Sequence, residues 1–77
     1  MVILTTSEFG RYLEEDTRYI YFEAKNIAYR DATIDGVDKL YAKTKGGEEK
    51  EIDNLDPDFK EATLYKTVMT QAEYEAF

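Results

Sequence analysis

Asp35-Gly36 constrains the fold of this chain more than any other pair of residues. A two-residue type I′ turn needs positive φ at both central positions, and Asp-Gly supplies them at little steric cost. On either side lie residues 27–34 and 37–44, two runs with enough strand formers to pair as an antiparallel hairpin. Gly46-Gly47 gives a second tight turn, from which residues 48–52 return. Lys45 and Glu48 flank that turn and are placed to attract each other across the strands. Upstream, residues 18–24 (RYIYFEA) alternate as a strand does, with Ile20 and Phe22 on one face and Tyr19 and Tyr21 on the other. Both faces are apolar enough for burial, which points to a central strand.

The two ends of the chain carry one local signal twice. Residues 2–4 read as a short strand running into a helix. Thr5 and Glu8 have the spacing of a capping box, in which the hydroxyl accepts from one amide and the carboxylate from the other. Leu4 and Phe9 occupy the positions of a hydrophobic staple, and Phe9, Tyr12 and Leu13 give the helix one apolar face, with its end expected near Asp16. Met69, Thr70, Glu73 and Tyr74 repeat the arrangement after a strand at residues 64–69. The match is short, and two similar solutions to starting a helix explain it as well as a duplication does. Asp56-Pro57 reads as an N-cap followed by a proline at the first helical position, opening a short helix over residues 57–62. The expected fold is α+β: a small antiparallel meander sheet of four to six strands, with short capped helices near both chain ends, in a single domain over residues 1–77.

Composition sets the chemistry. The 77 residues contain no Cys and no His, which excludes disulfides, thiolate and imidazole catalysis, and zinc sites of the Cys/His kind. An aromatic content of 14% argues against an acidic disordered chain. A core this small supplies only about 3–5 kcal/mol, so an oligomer or a metal would help it. The longest aliphatic run is Val2-Ile3-Leu4, and no basic-then-apolar leader is visible, so a soluble cytoplasmic protein is expected, without membrane contact. Asp31, Thr33, Asp35 and Gly36 match the first half of an EF-hand loop, but Ala42 stands where the bidentate Glu is needed, and a hairpin explains the segment better. Asp53, Asn54, Asp56 and Asp58 alternate oxygen side chains, for which a turn and a capped helix are the simpler account. No catalytic, metal or cofactor residues are assigned. The single Ser7 sits at a helix start, Glu14-Glu15-Asp16 point apart on a helix, and Gly46-Gly47 lacks the Lys-Ser/Thr of a phosphate loop.

The net charge of -7 is concentrated: residues 46–61 hold seven acids against two lysines. That sign disfavours direct nucleic-acid or anionic-membrane binding. It suits a protein partner with a basic surface. Glu48, Glu49, Glu51, Asp53, Asp56, Asp58 and Glu61 would present carboxylates where such a partner meets phosphates. Tyr41 joins them as the aromatic contact, because seven Tyr exceed what a thin core buries and exposed Tyr serves interfaces well. The expected function is therefore that of a non-enzymatic acidic interaction domain, a nucleic-acid mimic. The phage-type inhibitors of host nucleases and polymerases resemble it in size and charge alone. The alternative is a structural or regulatory subunit that works as a homo-oligomer, its edge strands and surplus Tyr finding partners in other copies.

Overall fold

The computed structural model describes residues 1–77. Six strands form one antiparallel sheet: β1 (Val2–Ile3), β2 (Thr17–Phe22), β3 (Ile27–Ile34), β4 (Val37–Thr44), β5 (Lys50–Ile52) and β6 (Thr67–Val68). Their order is β1-β6-β2-β3-β4-β5. Strands β2 to β5 are the expected meander. β6 returns between β1 and β2, so the two chain ends meet on one side of the sheet. Three helices complete the fold, α1 (Thr6–Tyr12), α2 (Pro57–Tyr65) and α3 (Gln71–Ala76), with a 3-10 turn at Glu23–Lys25. No helix is long and apolar enough to cross a membrane.

The β3–β4 hairpin closes at Ile34↔Val37, with Asp35 and Gly36 both at positive φ, as a type I′ turn demands. Both capping boxes form. The Thr5 hydroxyl accepts from the Glu8 amide while Glu8 accepts from the Thr5 amide. Thr70 and Glu73 do the same.

Strand alternation divides the core in two. Ile20, Phe22, Tyr29 and Leu40 pack with Phe9 of α1 and Ala62 of α2 on one face. Ala28, Met69 and Tyr74 of α3, with Tyr19 and Tyr21 half-buried around them, pack on the other. β2 lies between β6 and β3 and is apolar on both faces, as a central strand requires.

Several boundaries differ from expectation. α1 stops at Tyr12, short of Asp16, because the buried guanidinium of Arg18 takes the carbonyls of Leu13 and Glu15 and turns the chain there. Glu14, Glu15 and Asp16 consequently lie in a turn rather than on a helix. β2 ends at Phe22, where the 3-10 turn and left-handed Asn26 lead into β3. α2 continues to Tyr65, since that ring stacks on Phe22 at 6.2 Å, and left-handed Lys66 ends it. β6 shrinks accordingly to two residues. Lys45 and Glu48 form no ion pair across their turn; both are exposed, and Gly46 donates its N–H to the Phe77 carbonyl at 2.8 Å.

Candidate functional site

The start of α2 collects acids around one lysine. Asp56 caps the helix, accepting from the Phe59 N–H at 3.1 Å, and Pro57 follows at the first helical position, where its missing N–H costs nothing. Asp58 accepts from Lys25 Nζ at 2.9 Å. That lysine projects from the 3-10 turn after β2. The Asp58 hydrogen bond holds its ammonium above the usual range, and the charges of Asp58, Glu61 and Asp56 add to it. Glu61 lies one turn beyond Asp58 and is exposed. On the inner side of the helix, Phe59 meets Tyr29 edge-on at 5.2 Å. Burial drives the Tyr29 hydroxyl upward in pKa, and the charges of Asp56 and Asp58 reinforce it.

The turn before the helix presents an apolar residue. Asp53 accepts from the Leu55 N–H at 2.8 Å, an Asx turn that makes the segment local and rigid. Leu55 is left 66% exposed, between carboxylates on both sides in sequence.

Tyr41, Glu49 and Glu51 belong to the opposite face. Tyr19, Arg30, Tyr41 and Glu51 form one row across β2, β3, β4 and β5, out of phase with the row of Ile20 and Tyr29. The Arg30 guanidinium lies over the Tyr41 ring at 4.1 Å. It grips Glu49 with both prongs, Nε to Oε1 at 2.7 Å and Nη2 to Oε2 at 3.2 Å. The Tyr74 hydroxyl donates to the same Oε1 at 2.7 Å. Arg30 is the chief reason that the Glu49 carboxyl stays below its ordinary pKa. Lys43 Nζ sits 4.5 Å from the centre of the Tyr74 ring. The cleft between α3 and the β4–β5 turn, about 420 Å³, is lined by these charges. Glu51 faces Lys39 at 3.7 Å.

The acids that are neighbours in sequence are therefore divided by the sheet. Asp56, Asp58 and Glu61 share the α2 face; Tyr41, Glu49 and Glu51 share the α3 face. Glu49, Glu51 and Asp58 are ion-paired, while Glu48, Asp53 and Glu61 are exposed and have no cation within 4.0 Å. Leu55, Lys25 and Arg30 were not singled out from sequence. Leu55 had a signal, an apolar residue inside a run of Asp and Asn; the two cations come from distant strands and had none.

The remaining sequence motifs have structural places. Asp31 accepts from Arg18 Nε at 3.0 Å within the hairpin. Asp38 lies near the same guanidinium, and Thr33 Oγ1 donates to it at 2.6 Å. No group of three or more carboxylates is arranged to hold a metal ion. Set against protein-family models, curated proteins and solved structures, the chain matches none.

Proposed function

We propose that this protein is a non-enzymatic interaction domain that docks its α2 face onto a basic, nucleic-acid-binding surface of a partner protein. The observation that carries this reading is Leu55, held out by an Asx turn from Asp53, with Asp56, Asp58 and Glu61 on the helix cap and helix that follow. Interfaces are driven by a desolvated apolar anchor, while surrounding charges select the partner and speed the encounter. Carboxylates preorganised by a cap and a turn offer Arg and Lys the hydrogen-bond acceptors that phosphates would offer. Glu48, at the β4–β5 turn, lines a shallow cavity with Lys43 and Lys50, and the α2 docking surface does not include it. Glu49 and Tyr41 hold the α3 face together, and the docking surface does not depend on them. The reading includes no cofactor and no catalytic step.

The test is capture from cell lysate with tagged protein, eluted by a salt gradient. A basic nucleic-acid-binding protein released at moderate salt is the expected result, because opposite charges on an exposed rim are screened at that ionic strength. The triple variant Asp53→Lys, Leu55→Ala, Glu61→Lys alters exposed side chains only and should lose that protein. Capture unchanged by the folded triple variant contradicts the reading.

A second reading, a homo-oligomeric subunit, has its support in a different part of the molecule: the exposed apolar corner at β1.

A further inference from the structure

We infer that two copies of this chain associate through the edge strand β1, joining their sheets antiparallel about a two-fold axis at Ile3. This specifies the second reading above and is independent of the α2 docking surface.

Three observations lead to it. The first is backbone direction. β1 pairs with β6 at Val2↔Val68 and Ile3↔Thr67, and Leu4 N–H donates to the Lys66 carbonyl at 2.9 Å. In an antiparallel ladder, bonded residues alternate, so residues 2 and 4 face β6 and the N–H and C=O of Ile3 face outward. An antiparallel edge is self-complementary: Ile3 N–H of one copy meets Ile3 C=O of the other, and the reverse.

The second is apolar exposure. Ile3 is 72% exposed, the highest among the large hydrophobic residues, and Leu64 and Tyr65 at the end of α2 are 70% and 56% exposed. Ile3 and Tyr65 line one open cavity of about 460 Å³ with Ala24, Thr67 and Glu23. An unprotected apolar edge of this kind invites strand pairing, and nothing on β1 resembles the charges that guard β5 at Lys50 and Glu51.

The third is charge. Copies carrying -7 repel unless they meet where charge is low. At this corner the free charges are one of each sign, Glu23 in the cavity and Lys66 between Tyr65 and Thr67, and neither is ion-paired within its own chain. Because each copy brings one free charge of either sign, the contact gathers no excess of acid. Another copy is thus the occupant that the self-complementary edge and the apolar, nearly neutral corner fit together.

The association also has a functional consequence. Leu55 precedes α2 and Tyr65 ends it, so pairing at β1 leaves Leu55 and Asp53 of both copies open. The dimer would engage two basic sites, or one extended site, with the gain in avidity that bivalence brings.

Sedimentation equilibrium from low to high micromolar concentration tests the inference. The expected mass rises from the 9.0 kDa monomer toward twice that value, and the rise is steeper at high salt, which screens the repulsion between copies. Ile3→Lys and Leu64→Glu, both on exposed side chains, should each weaken association by about tenfold or more. Hydrogen exchange at the Ile3 amide should slow as concentration rises. A monomer at every concentration and salt overturns the inference. So does a dimer that neither variant weakens, since it would use another surface. Neither result decides whether a basic partner is captured through α2; a monomer forfeits only the gain from bivalence.

Discussion

Arg18 is the residue on which the connection between α1 and the sheet depends. It is buried, and its guanidinium reaches Asp31 at 3.0 Å, Thr33 Oγ1 at 3.3 Å, the Leu13 carbonyl at 3.3 Å and the Glu15 carbonyl. Five donors in a fixed fork suit such a convergence, and a lysine could not satisfy it. Removing one partner of a buried pair leaves the other charge unpaired in poor solvent. Arg18→Ala should cost about 3 kcal/mol in urea denaturation, nearly all that a core of this size provides. Asp31 is partly exposed, which keeps the cost from being larger. A loss below about 0.5 kcal/mol, the level of an ordinary surface substitution, would show that the turn over residues 13–16 holds without the guanidinium. Leu55, 66% exposed, is the residue on which the proposed docking depends, so Leu55→Ala should change stability by no more than about 0.5 kcal/mol while weakening partner capture.

Among the elements, those defined by neighbours in sequence were legible in advance, and those defined by distant contacts were not. Asp35-Gly36 dictates a turn whatever surrounds it, and the hairpin closes there at Ile34↔Val37. The strand registers, and with them the face each Tyr takes, stayed ambiguous because either register mixes apolar and polar residues on each face. Gly36→Ala should therefore cost about 1 kcal/mol by thermal or chemical denaturation, although a methyl group there would touch nothing, because φ is +76°. An unchanged midpoint would mean that the turn tolerates a Cβ at left-handed φ. The two Thr-x-x-Glu boxes and the Asp56-Pro57 helix start were equally readable, since a cap and its amides lie within one turn. The ends of α1, β2 and α2 were misplaced for the converse reason. Arg18 from the next strand stops α1, and Phe22 draws Tyr65 into α2 rather than into a strand. The candidate site divided similarly. The caps and Asx turn that place Asp53, Leu55 and Asp56 are local, whereas the Glu49 clamp needs Arg30 from β3 and Tyr74 from α3, 19 and 25 residues away. A run of acids in sequence gave no means of knowing that the sheet would pass between them.

For the whole molecule, stability depends on pH through three carboxylates, Glu8, Glu49 and Glu73. On the α3 face, Arg30 and Tyr74 hold Glu49 ionised below the ordinary value of 4.5. The unfolded chain then binds more protons than the folded one, so this contribution is complete above pH 4.5 and is lost as pH falls through the folded pKa. The capping carboxylates Glu8 and Glu73 are lowered as well and act in the same direction. Denaturant midpoints should fall below pH 4.5, and less steeply in Glu49→Gln, which should itself cost roughly 1 kcal/mol at neutral pH. An acid limb of equal steepness in both proteins would show that the clamp adds nothing. On the α2 side, Asp53 and Glu61 are exposed and have no cation of their own, which leaves them to the docking proposed above. The most direct measurement of that claim is competition: bind the captured basic partner to duplex DNA and titrate in this protein. The DNA should be displaced by this protein and not by the triple variant at Asp53, Leu55 and Glu61. A stable complex containing partner, DNA and this protein together would overturn phosphate mimicry, because a surface that stands in for phosphate cannot share its site with phosphate.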